Sequence, residues 1–140
     1  MAKTYEAPFA QTWKTWLAVV TGACTDIDSA PDSDCALLGT AHATEGGILT
    51  QLTAMPRETT SGVHVLYLFS SIDGGTDWIL INAKAAAADT LSTTDAPTVI
   101  DFGYSETNPL RLQAGEKLKV GASVALTTGW AFQARVGDMA

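Results

Sequence analysis

The chain has 140 residues, enough for one domain with a substantial core and too few for two; 46% are hydrophobic and only 16% are charged, below the ~25% of typical globular chains. That shortage of charge predicts a surface partly covered by partners. A net charge of -7 with eight scattered Lys and Arg opposes binding to a phosphate backbone, and the longest apolar runs, WLAVV and VLYLF, fall far short of the ~20 residues of a membrane-spanning helix. The expectation is a soluble protein that contacts neither nucleic acid nor membrane directly, with no apolar stretch after Lys3 to serve as a signal peptide.

In chain order, residues 1–11 have no sustained period, and Pro8 biases Ala7 toward extended geometry, which predicts an extended N-terminal arm carrying Tyr5 and Phe9. The remainder, 12–140, is predicted as one domain. Residues 12–20, TWKTWLAVV, alternate as a strand, with Trp13, Thr15, Leu17 and Val19 on one face and Lys14, Trp16, Ala18 and Val20 on the other. After an acidic loop, CALLGT predicts a short strand ending at Gly39. The stretch GGILTQLTAMPRETTSG is ambiguous by period, but Gly46, Gly47 and Pro56 favour a strand ending near Met55.

VHVLYLF predicts a strand buried on both faces, and Asp73-Gly74-Gly75 followed by WILI makes 63–82 a hairpin. NAKAAAADTL predicts a loop or a brief helix on propensity. PTVIDFGY predicts another strand, PLRLQAGEKLKVGASVAL two more around Ala114-Gly115, and WAFQARV a last one with Trp130, Phe132, Ala134 and Val136 inward. Seven to nine short strands with frequent turn signals predict an all-β fold, an antiparallel β-sandwich or jelly roll. No internal repeat or domain linker is visible.

The search for chemistry returns little. CTDIDSAPDSDC sets Asp26, Asp28, Asp32 and Asp34 between the two cysteines. Asp26 and Asp28 match the opening of a calcium loop, but Ala30, Pro31 and Leu37 stand where a ligand, the turn glycine and the bidentate Glu would be, which excludes an EF-hand. An irregular cation site or a solvated bend remains. Cys24 and Cys35 either close a ten-residue insert as a disulfide, worth roughly 2–3 kcal/mol on the chain-entropy model, or stay reduced and buried. SIDGGTDW resembles the Asp-box of sialidase-like β-propellers in Ser71, Asp73, Gly75 and Trp78; it occurs once, which predicts a hairpin brace and not a propeller. His64 is predicted as a hydrogen-bonded core residue. No zinc motif, nucleophile elbow or raised-pKa carboxylate pair is recognisable with His42 and His64 as the only histidines, so neither an enzyme nor a cofactor is expected.

ILTQLTAMPRETTSGVHVLYLFSSIDGGTDWIL, IDFGYSETNPLRLQAGEKLKVG and the GWAFQARVGDM ending together resemble small virion-associated structural proteins of tailed bacteriophages, over residues 47–139. The resemblance implies a capsid decoration (cement) protein: small, β-rich, trimeric, clamping neighbouring major capsid subunits without turnover. It further implies assembly in the bacterial host cytoplasm and residence on the capsid surface. The partner-binding candidates are Tyr5, Phe9, Trp13 and Trp16, with Trp13 or Trp16 alternatively belonging to the protomer's own core. Two competing readings are a tail, baseplate or fibre-associated part and a carbohydrate- or receptor-binding module, the latter because LRLQAGEKLKV resembles a strand-turn-strand found across jelly rolls.

Overall fold

The computed structural model describes residues 10, 12–27 and 34–139. These residues form nine strands and no helix: β1 (Thr12–Val20), β2 (Ala36–Thr40), β3 (Gly47–Pro56), β4 (His64–Ser71), β5 (Ile79–Ala86), β6 (Ile100–Asp101), β7 (Leu110–Leu112), β8 (Lys117–Ala122) and β9 (Trp130–Asp138). The expected 1–11 arm lies outside the described residues except for Ala10.

Every strand pairing is antiparallel. The first sheet runs β1-β9-β3, and β6 and β7 both lie on the remaining edge of β3, opposite Thr53–Ala54 and Gly47–Leu49 respectively. The second sheet runs β2-β8-β4-β5. With β6 and β7 counted as one interrupted edge strand, the first strand pairs with the last, the second with the last but one, and so inward to the β4–β5 hairpin. That nesting is a long hairpin wound into two facing sheets, a jelly roll.

Alternation along the strands builds the core. Trp130, Phe132, Ala134 and Val136 of β9 are at most 1% exposed and face Leu118, Val120 and Ala122 of β8 and Leu66 and Leu68 of β4 across the sandwich. β3 carries the register irregularity that made its sequence ambiguous. The pairing with β9 shifts between Leu49 and Gln51, so Leu49 and Leu52, three apart, both point inward. A bulge of this kind adds one residue and breaks the period of two.

Two segments depart from expectation. NAKAAAADTL is neither a loop nor a helix at its start, since β5 continues through Ala86, opposite His64. The ladder offered by β4, with Ala86 buried in the core, overrides the helix propensity of these alanines. PTVIDFGY keeps only Ile100–Asp101 as strand. There the Asp101 carboxylate accepts the Gly103 N–H at 2.8 Å, and Gly103 at φ 94° turns the chain away.

The hairpin turn after β4 is braced as its sequence suggested. Asp73 Oδ1 accepts the Ser71 hydroxyl at 2.8 Å and the backbone N–H groups of Thr76 and Asp77 at 3.1 and 3.0 Å. Ser71 Oγ in turn accepts the Gly75 N–H, and the Trp78 indole donates to the Gly75 carbonyl. These bonds hold the Asp73 carboxyl below its ordinary pKa, first through the Asp77 N–H and then through Ser71.

Candidate functional site: the outer face of the first sheet

Register decides which side chains share the outer face of the first sheet. Trp13 on β1 lies beside Gly137 on β9, which lies beside Ile48 on β3 and then Arg111 on β7. The next rows are Thr15, Arg135 and Gln51; then Leu17, Gln133, Thr53 and Asp101; then Val19, Ala131 and Met55. Trp13 is 55% exposed, Leu17 70% and Val19 45%. Three large apolar side chains thus stand in solvent along a single edge strand.

The tryptophan is supported from beneath. A Cβ at Gly137 would lie 3.2 Å from the Trp13 ring, so the glycine lets the indole settle onto the sheet, with Ala10 packed over the same glycine. Beside the ring opens a trough of about 500 Å³ bounded by Gln51, Asp101, Tyr104, Glu106 and Arg135. A second hollow of about 390 Å³ continues past Trp13 and Glu106 to Ile48 and Arg111. The Arg135 guanidinium donates to Thr15 Oγ1, which fixes the long side chain across the sheet.

The far wall is a preformed loop. Ser105 and Asn108 exchange backbone hydrogen bonds at 3.2 Å, the Asn108 amide donates to the Gly103 carbonyl, and the Asn82 amide donates to Tyr104 Oη at 3.1 Å. The face therefore combines an aromatic plate, a short apolar stripe and charges of both signs, which suits noncovalent docking. Away from this face, hydrogen bonds and burial displace the titration of several structural groups. Glu58 is lowered chiefly by the Thr128 N–H, His64 is lowered by burial, and Tyr67 is raised by burial and then by Cys24.

Of the sequence-predicted partner-binding residues, Tyr5 and Phe9 lie outside the described residues. Trp13 is on this face. Trp16 is on the other side of β1, partly buried against the core, with its ring filling the space beside Gly39 of β2. Of the acidic-loop candidates, Asp28 and Asp32 lie outside the described residues. Asp34 packs onto Gly22, which brings the two ends of the loop together, and Asp26 supplies the carbonyl to which the Cys24 thiol donates at 3.5 Å. Among the described residues no group of three or more metal-ligating side chains comes together.

Cys24 and Cys35 are buried thiols, and no disulfide joins them. They pack with Phe69 and Trp78 on the outer face of the second sheet, with Tyr67 and Leu80 alongside. His64 is 4% exposed and accepts the Trp130 indole N–H on Nδ1 at 3.1 Å, a hydrogen-bonded core histidine as expected. His42 accepts the Thr44 and Glu45 N–H groups and shapes the turn before β3.

Gln51, Tyr104, Glu106 and Arg135 were not singled out from the sequence. The outward position of Arg135 was legible in the alternation of WAFQARV, but its neighbours come from strands and loops distant in the chain. No local signal could assemble them.

No protein-family model matches the chain, and no curated protein matches it. Among solved structures, the chain is similar to a chain in the structure of infectious bursal disease virus Gx strain, at 14% identity and a TM-score of 0.34, and to one in the structure of the Gt strain of that virus, at 16% identity and a TM-score of 0.31. Each alignment covers 99% of this chain and 37% of the other, so the protein spans little more than a third of the length of the chains it matches. At these scores the likeness carries no argument about function, and the jelly-roll assignment rests on strand order alone.

Proposed function

We propose that this protein is a non-enzymatic structural component of a bacteriophage virion, a capsid decoration protein that reinforces the head through noncovalent contacts with major capsid subunits. The observation that carries this reading is the exposed Trp13, Leu17 and Val19 stripe on β1, flanked by Arg111, Arg135, Asp101 and Glu106. A sheet face with a central aromatic and a charged rim has the make-up of a docking surface. The sequence stretches that resemble virion proteins support the reading independently, since residues 47–139 span β3 to β9.

In this proposal Trp13 is the anchor and Leu17 and Val19 extend the apolar contact. A homotrimer would present three such faces at once, so individually weak contacts would add through avidity. Trp16 contributes by holding β1 to the second sheet rather than by touching the partner. The protein would assemble in the host cytoplasm and end on the capsid surface.

The test is the copy number per particle by quantitative mass spectrometry, followed by thermal stability of capsids with and without the protein. A count matching the capsid's local symmetry points and a loss of heat resistance without it are expected. A count typical of a tail component would sink the decoration reading. A carbohydrate-binding role is favoured by one observation, the trough beside Trp13 lined by planar polar side chains. A glycan array with the isolated protein separates the two, because saturable sugar binding would argue for the second role.

A further inference from the structure

The outer face of the second sheet contains an arrangement that the proposed function does not use. Gly121 lies inside β8, opposite Tyr67 of β4, and is absent from the glycines with positive φ. Its backbone therefore does not demand glycine, and a glycine inside a strand weakens it. The reason for it is space. A Cβ at this position would meet Cys35 Sγ at 2.9 Å and Cys24 Sγ at 3.7 Å, so the two sulfurs border the same side-chain-sized volume.

The backbone at one of these cysteines is fixed as well. The Cys24 N–H donates to the Ala122 carbonyl at 2.7 Å, and Cys35 immediately precedes β2, whose Ala36 pairs with Val120 of β8. Both cysteines are thereby tied to the same strand on either side of Gly121. Seven of the ten residues between them, TDIDSAPDSD, are polar, and the two cysteines at its ends are buried. A disulfide needs sulfurs at ~2.05 Å, and side chains that border one glycine's space bring their sulfurs to the same place on the sheet.

We infer that Cys24 and Cys35 form a modification site, closing as an intrachain disulfide when the protein meets a small-molecule disulfide such as oxidised glutathione. One cysteine, as its thiolate, attacks a glutathione sulfur; a protein–glutathione bond forms, the glutathione disulfide breaks, and one glutathione thiolate leaves and takes up a proton. The other cysteine loses its proton and attacks the modified protein sulfur, forming the protein disulfide and releasing the second glutathione. Two electrons pass from the protein to the oxidant, and two glutathione thiols result. Both cysteines are over nine-tenths covered, so exchange proceeds from a form in which Cys24 or Cys35 has lifted from the sheet. The product joins Cys24 and Cys35 covalently beside Phe69 and Trp78.

The experiment incubates the purified full chain with oxidised glutathione, quenches with acid, and counts thiols by alkylation under denaturing conditions. Peptide mapping without reductant and thermal melting follow. Expected are simultaneous loss of both thiols, a mass lower by two hydrogens with no retained glutathione, and a Tm raised by about 5–10 °C that reductant reverses. Cys35→Ser should instead retain one glutathione and show no such rise, and Gly121→Ala should slow closure. Two alkylatable thiols after prolonged oxidation, a stable glutathione adduct on the wild-type chain, or a bond only between chains would each overturn the inference. The wild-type measurement decides it even if a variant fails to fold.

Discussion

The two sheets treat their outer faces differently. On the second sheet the outward Phe69 is 1% exposed, because Cys24, Cys35 and Trp78 pack against it. On the first sheet the outward Trp13, Leu17 and Val19 are between 45% and 70% exposed, and no described segment lies across them. Both faces carry apolar side chains, but only one has its cover within the described chain. A sheet that is apolar on both sides is stable in water when each side is covered, and the stripe on β1 is the face on which the proposed docking rests.

Substitutions on the two faces should separate these roles. Phe69→Ala, on the covered face, should cost about 3–5 kcal/mol in urea unfolding, as a buried aromatic does. A loss below about 1 kcal/mol would mean that the cover contributes little packing. Between the sheets, His64 supplies a pH dependence. Its folded pKa is depressed by burial, so the unfolded chain binds the proton more readily and stability rises with pH. Stability should fall as pH drops below the ordinary histidine value of about 6.5 toward the lower folded value. His64→Gln, which keeps an acceptor for the Trp130 indole, should flatten that part of the profile.

Smaller effects sharpen the contrast. Lys119 Nζ sits 4.8 Å from the centre of the Trp78 ring, and Lys119→Ala should cost about 0.5–1 kcal/mol, more at low salt than at high. Trp13→Ala, on the bare face, should change unfolding by no more than about 0.5 kcal/mol while abolishing retention on capsids in co-sedimentation. A large stability loss at Trp13 would assign it to the protomer's own packing. Intact capsid retention would remove it from the interface.

Much of the strand layout was legible. β1, β2, β4, β7, β8 and β9 follow from alternation and turn residues, and the inward set of β9 was readable residue by residue. β5 was cut short because its alanines read as helix formers, whereas the β4 ladder recruited them. β6 was overextended because nothing in PTVIDFGY announces that Asp101 and Gly103 will turn the chain. The candidate site was the least legible part. Trp13 stood out by type, but Arg135, Glu106 and Tyr104 join it only through the pairing of β1, β9 and β3 and the loop after β6.

The division has a physical basis. Side-chain period, turn chemistry and low charge are properties of neighbours along the chain, so an acidic all-β sandwich with a braced hairpin could be read from residue order. Which face of β1 is bare, that Trp16 packs on Gly39, and that Cys24 and Cys35 meet over Gly121 depend on contacts between distant segments. The free energy of such contacts comes from surfaces that meet only when both sheets have formed, and no local pattern encodes it.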